Sequence, residues 1–414
     1  MKAKRLFLFL TIPLILALTS CDIGTTSGYS VPGNGLAEKL EWLRTNAKSD
    51  SSYTLEIVAD ESISSNRVLE FSGRSNITIT LRGSGGNRII SISNNGNMFV
   101  VRAGVTLVLD NITLRGRFNN SPLVYVRAGA TLRMNDSAVI TGNISTDGTG
   151  GGVRVEGTFI MNGGTISGNA ASIDGGGVYV TAGNFTMNGG TISGNNANNT
   201  GGGVAVLGKG TFIMSGGTIS GNNASNGGGG VATLSGNFTM SGGTISGNSS
   251  EKDGGGVRME GYFTMNGGTI SGNTAKDSGG GVAASGEGTF LMNNGSITGN
   301  TAIRGGGVTA PINTSFIMSG GTISGNIAKT NGGGVYAGGV FTKASGTITS
   351  YDSDRRNGNV VSNNLGLVES KNGHAVYAYS SGNRVTKRKE TTAGSRVSLS
   401  YNGITGLFSG EWDF

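Results

Sequence analysis

Eight asparagines constrain the fold of this chain more than any other feature. Asn143, Asn169, Asn195, Asn222, Asn248, Asn273, Asn300 and Asn326 close successive copies of one pattern, G-G-G-V-x-V, a glycine turn, then F-x-M-x-G-G-T-I-S-G-N. The intervals are 26, 26, 27, 26, 25, 27 and 26 residues. So tight a period marks a stack of like units, none large enough to bury a core alone. Within the copy that ends at Asn195, Val178 and Val180, then Phe185 and Met187, then Ile192 alternate with other residues at a period of two, as strands do. Glycine runs such as Gly175-Gly176-Gly177 separate them. Each strand can then pair only with its counterpart one coil away, in parallel, at about 4.8 Å.

The expected fold is all-β: a right-handed parallel β-helix solenoid of about 26 residues per coil, three strands to the coil. Left-handed β-helices run on hexapeptides, about 18 residues per coil, which these longer, unequal segments do not match. The 78 glycines in 414 residues would otherwise suggest disorder or collagen, but their long regular period excludes both. The Ile column should point inward. The Asn column has two readings, a structural hydrogen-bonded ladder or a polar binding surface, and the ladder is the expectation.

Fainter copies extend the array. Phe99, Val101, Leu107, Leu109 and Ile112 keep the rhythm without the glycines, and Tyr53–Val58 and Ile77–Leu81 read as earlier strands. Leu36, Leu40, Leu43 and Ala47 share one helical face, predicting a short helix that covers the open edge of the stack. The resulting division is a signal peptide over 1–20, a tether over 21–34, a cap helix over 35–52, β-helix repeats over 53–350, and a terminal coil and cap over 351–414.

Lys2, Lys4 and Arg5 precede an apolar run from Leu6 to Leu18, too short to span a membrane as an ordinary helix and shaped like an export signal. It ends in Leu18-Thr19-Ser20-Cys21, which resembles the bacterial lipobox. The resemblance implies diacylglycerol on the Cys21 thiol, cleavage before it, and an acylated (palmitate-type) new N-terminus. An ordinary signal peptide with an incidental cysteine is the alternative. Cys21 is the only cysteine, so it has no disulfide or metal-ligand companion. The implied location is the bacterial cell envelope, at the outer membrane or cell surface.

Without the three signal cations the charge falls from +7 to +4, and residues 121–339 are neutral, with nine basic and nine acidic side chains. Lys387-Arg388-Lys389 could meet acidic lipid or polymer, though a solvated turn is the plainer reading. Nothing suggests a nucleic-acid partner.

The GGGV and F-x-M-x-G-G-T-I-S-G-N units resemble right-handed parallel β-helix repeats of the pectin-lyase-like superfold. They look closest to polymorphic outer-membrane protein repeats, over roughly residues 54–350. Phe185-Thr186-Met187-Asn188 keeps that family's Phe-x-x-Asn spacing, whereas Phe212 is followed by Ser215 in the last place. The resemblance implies a cell-surface position and adhesion to host or neighbouring cells, with attachment through Cys21.

Three functions compete. A polysaccharide lyase or glycosidase needs clustered outward carboxylates. The position between the two valine columns reads Arg154, Tyr179, Ala205, Ala232, Arg258, Ala283, Thr309, Tyr336, without acids. Glu251 and Asp253, and singly Asp174 and Asp277, read as solvated loop residues, and the sole histidine, His374, as structural. The glycine runs precede no helix and are not phosphate loops. Outward Thr-x-Ser pairs at 165/167, 191/193, 218/220, 244/246, 269/271 and 322/324 resemble the hydroxyl rows of ice-binding solenoids, or a sugar-binding surface, but threonine suits any exposed strand. A mixed column, Ile160, Thr186, Ile213, Thr239, Thr264, Leu291, Ile317, Thr342, could mark an interaction face. The expectation is a non-enzymatic, monomeric, lipid-anchored scaffold or adhesin without cofactor or metal. Its partners would be the membrane and a host or neighbouring-cell protein or glycan.

Overall fold

The computed structural model describes residues 29–351, 353–362, 368, 374–380, 383–387, 397–402 and 407–409. The apolar run, Cys21 and residues 22–28 lie outside them, as do Arg388 and Lys389. The described chain is a parallel β-solenoid of about 11 turns, each about 26 residues long. Its single helix is the N-terminal cap.

One turn carries four strands rather than the three expected. In the coil closed by Asn195 they are Val178–Val180, Asn184–Met187, Thr191–Ser193 and Asn196–Ala197. The first three are the ones legible by alternation. The fourth has two residues, Asn196 exposed and Ala197 fully buried, too few to display a period. Its only trace is a small residue two places after each ladder asparagine, from Ala171, Ala197 and Ala224 to Ala328. We name the four sheets for their inward residues: valine, phenylalanine, isoleucine and alanine. They hold 13, 15, 12 and 9 strands among the described residues.

Register is in step from coil to coil, with Phe185 opposite Phe159 and Phe212, and Ile192 opposite Ile166 and Ile219. Like residues therefore stack on like. Eight phenylalanines from Phe159 to Phe341 lie ring over ring at centroid spacings from 4.6 to 5.2 Å, the separation of paired strands. Ile166 through Ile348 form a second fully buried column.

The asparagines form the expected ladder, buried at every rung. The Asn222 backbone N–H donates to Asn248 Oδ1 at 3.0 Å, and its Nδ2 donates to the same oxygen at 2.9 Å. That Nδ2 also reaches back to the Ile192 carbonyl at 2.9 Å. One amide thus joins three successive coils, and the arrangement repeats from Asn169 to Asn326. It continues beyond the clean repeats, to Asn120 at one end and Asn359 at the other. Asn359 follows Asn326 by 33 residues because an extra loop intervenes, in which Asp354 accepts the Arg356 and Asn357 N–H groups. These bonds hold the Asp354 carboxyl below its ordinary range.

Glycine does two jobs at these corners. Gly194, just before its asparagine, has φ +61° with open space where a Cβ would stand. Gly202 instead lies against the next coils: a Cβ there would stand 2.3 Å from the Asn223 carbonyl oxygen. The triple glycines are therefore a packing requirement, letting backbone lie on backbone behind the ladder.

The helix, α1 (Leu36–Asn46), buries Leu36, Leu40 and Leu43 against the first coil. Gly35 at its N-cap offers no side chain, and Glu61, at the start of the strand Glu61–Ile63, accepts the Leu36 N–H at 2.8 Å instead. The chain joins the stack earlier than the expected tether allows, since Tyr29–Ser30 pair in parallel with Tyr53 and Thr54. At the other end the parallel order stops. Val376–Ser380 still adds to the valine sheet in parallel, but Asn383–Lys387 and Val397–Asn402 add antiparallel strands.

Four substitutions test this construction by thermal and denaturant unfolding. Ile245→Asp buries an unpaired charge in mid-stack and should cost about 4 kcal/mol or more, so an unchanged midpoint would refute the inward column. Asn248→Ala strands the Asn222 N–H and the Ile219 carbonyl in a dry corner, an expected loss on the order of 2–6 kcal/mol. Gly202→Ala should unfold at markedly lower denaturant than wild type, whereas Gly194→Asn should stay within about 1 kcal/mol, because asparagine tolerates the left-handed region.

Candidate functional site

The outward column of the valine sheet runs Tyr125, Arg154, Tyr179, Ala205, Ala232, Arg258, Ala283, Thr309, Tyr336, Tyr377, one residue per coil. Sequence alone reads it as solvent-facing. Instead Ala205 and Ala232 are fully buried and Ala283 and Thr309 nearly so. The first glycine of each triple glycine turn folds over the column: a Cβ on Gly201 would lie 2.7 Å from the Ala205 Cβ. Large residues at the ends and small ones between, interrupted by Arg258, give the face two sunken stretches.

At its N-terminal end is a charged aromatic cluster. The Tyr125 hydroxyl donates to Glu156, and the Arg127 and Arg154 guanidiniums lie 3.9 and 5.0 Å from its ring centroid. Glu156 holds both arginines, at 3.4 and 3.3 Å. Burial, and then the bond to Glu156, push the Tyr125 hydroxyl up to about 12, so it stays a donor at all ordinary pH.

Toward the C-terminal end a cleft of about 290 Å³ opens over Ala283 and Thr309, bounded by Asp253, Asp277, Arg304 and Tyr336. Arg304 bridges to Asp277 at 2.6 Å, and the Tyr336 ring stacks on Tyr377 at 5.6 Å. Burial, reinforced by the neighbouring Asp277 charge, raises the Asp253 carboxyl above its ordinary value, against the opposing pull of Arg258 and Arg304. A second cleft of about 500 Å³ lies over the turn toward the phenylalanine sheet, lined by Lys209, Asn237, Glu260, Tyr262 and Glu287. Glu260 holds Arg258 at 2.5 Å, and Tyr262 is 63% exposed.

Of the four loop acids expected to be solvated, Glu251 and Asp277 keep exposed side chains, whereas Asp174 and Asp253 are withdrawn from solvent. Asp174 is buried and accepts from Thr200 N–H at 3.0 Å, Thr200 Oγ1 at 2.7 Å and Asn199 Nδ2 at 2.9 Å, a bracket between coils. Asp253 and Asp277 line the cleft, while Glu251 is exposed and pairs with Lys276. They come together because successive loops pair, Gly227 with Asp253, Asp253 with Ser278, and Ser278 with Arg304. Each comes from a different coil, so no local motif announces them. His374 is buried, its Nδ1 accepting the Val361 N–H at 2.9 Å, a structural position.

The Thr-x-Ser pairs form the regular row anticipated, half-exposed along the isoleucine sheet. On the phenylalanine sheet the mixed outward column is half-exposed too, with Ile213 at 38%. Among the described residues no group of three metal-ligating side chains converges, and no helix is long and apolar enough to cross a membrane.

Fold and face together define a parallel β-solenoid with an elongated, mixed polar and aromatic surface. No family model, no curated protein and no solved structure matches the chain.

The Asp253 shift has a pH signature. Because the folded state holds this proton more tightly than the unfolded chain, the carboxyl's contribution is fully present in acid. It is lost as pH rises from the unfolded value of about 4 through the raised folded value. Asp253→Asn should therefore raise the unfolding midpoint at pH 7, with the difference vanishing toward pH 3.5; a constant difference across that range would show that ionisation is not the cause.

Proposed function

We propose that this is a non-enzymatic, lipid-anchored protein of the bacterial cell envelope, a scaffold or adhesin of the pectin-lyase-like β-helix type. In this reading Cys21 carries the lipid and the valine-sheet face carries the partner, a glycan or protein of a host or neighbouring cell. The supporting observation is the sunken floor of that face, where Ala205 and Ala232 on one side of Arg258, and Ala283 and Thr309 on the other, lie between Tyr179 and Tyr336. The half-buried Tyr336 ring gives apolar contact, and the Asp277–Arg304 and Arg258–Glu260 pairs offer fixed donors and acceptors alongside. Glu156, Glu260 and Asp277 are each held by arginine, an arrangement suited to recognition rather than proton transfer.

One observation favours a second reading. Asp253, raised in its affinity for a proton, lines the same cleft as Asp277, and two neighbouring carboxyl groups are what a glycosidase uses. The mature chain without its lipid (residues 22–414) separates the two when tested against glycans and matrix proteins, with polysaccharide turnover followed in parallel. Saturable binding without turnover, weakened roughly tenfold by Tyr336→Ala as expected for loss of an aromatic anchor, supports the adhesin. Turnover abolished by Asp253→Asn would overturn it in favour of the enzyme.

A further inference from the structure

The N-terminal cap carries a feature the binding face does not use. Tyr29, Trp42 and Tyr53, with Asn46 and Lys48, line an open cleft of about 230 Å³. Tyr29 and Tyr53 lie 5.8 Å apart by ring centroid, and Trp42 meets Tyr53 edge-on at 6.2 Å. Tyr53 is buried and its hydroxyl accepts the Lys48 N–H at 2.8 Å, so this ring is the fixed base of the cluster. Trp42 packs only partly on the core, and Tyr29 is 65% exposed.

We propose that this aromatic cleft seats on the lipid–water interface and fixes how the solenoid stands on its membrane. The inference rests on the reading of Cys21 as the lipidated residue. Tryptophan and tyrosine favour the headgroup level, because each has an apolar body and a polar edge, and a neighbouring lysine can reach lipid phosphate with its stem in the apolar layer. The covalent distance then selects the end of the molecule. From Cys21 to Tyr29 the chain can extend at most about 28 Å. The stack of about 11 turns is roughly 50 Å long at 4.8 Å per coil, so the far end cannot reach the surface by the same route. The cap is what lipid at Cys21 would bring to the bilayer, and its exposed rings lie where the chain enters the fold.

The test uses the full lipidated chain with Trp412→Phe, leaving Trp42 as its sole tryptophan, reconstituted in phosphatidylcholine and phosphatidylglycerol vesicles. Half of the preparations carry acyl chains brominated near the headgroup. Trp42 emission should shift to the blue and lose most of its intensity in the brominated vesicles. Tyr29→Ser combined with Lys48→Ser should restore much of it without altering lipidation. Unquenched emission overturns the proposal, as does quenching indifferent to the double variant. A blue shift without quenching means that a second copy or another chain segment fills the cleft, and also overturns it. The mass of the N-terminal peptide, read on the same sample, separates the failures. An unmodified Cys21 refutes the anchor and the orientation together, whereas a lipidated but unquenched chain refutes the orientation alone.

Discussion

The buried amide ladder governs how the coils of this protein can stack. Each asparagine between Asn169 and Asn326 gives its N–H and one side-chain hydrogen to the next asparagine oxygen and another hydrogen to an isoleucine carbonyl one coil back. A polar group in so dry a corner is tolerated only when satisfied, so both neighbours must stand at one strand spacing and in one register. With that register set, phenylalanine falls on phenylalanine and isoleucine on isoleucine. The triple glycines follow from the same constraint, because a Cβ on Gly203 would come within 3.1 Å of the Asn222 amide nitrogen.

Such a stack gains its stability along its length, and its ends are exposed edges. Both ends are closed by departures from the repeat. At the start, α1 lays three leucines over the first coil and borrows Glu61 as its cap. At the finish, antiparallel strands replace parallel ones, and Lys343 takes the place of the stacked methionines in a fully buried position.

The repeat also explains why its surfaces differ. Inward positions are held nearly constant by the core, while the outward position of the valine strand is free to change from coil to coil. It holds tyrosine and arginine at one end, alanine and Arg258 in the middle, and alanine, threonine and tyrosine near the other. Turn glycines folded over the small residues make a depression rather than a flat wall. Loops that pair coil to coil bring Asp253, Asp277 and Arg304 into that depression.

By itself the sequence determined the stacking: the alternating strands follow from short-range spacing within one copy, and the period, the inward columns and the asparagine ladder from the recurrence of that copy at a near-constant interval. The cap helix was legible for the same reason, since four apolar residues on one face need no distant partner to be recognised. Tertiary structure alone decided the fourth strand, whose two residues carry no period, and the extra rungs at Asn120 and Asn359, whose spacing departs from 26. It also decided the character of the acids. Asp174 and Asp253 look alike in sequence, both polar residues before a glycine triplet. One is locked by Asn199 and Thr200 of the following coil, and the other faces Asp277 across a cleft. That distinction depends on what occupies the same place one coil away, a distance of one strand spacing in space but some 25 residues in the chain.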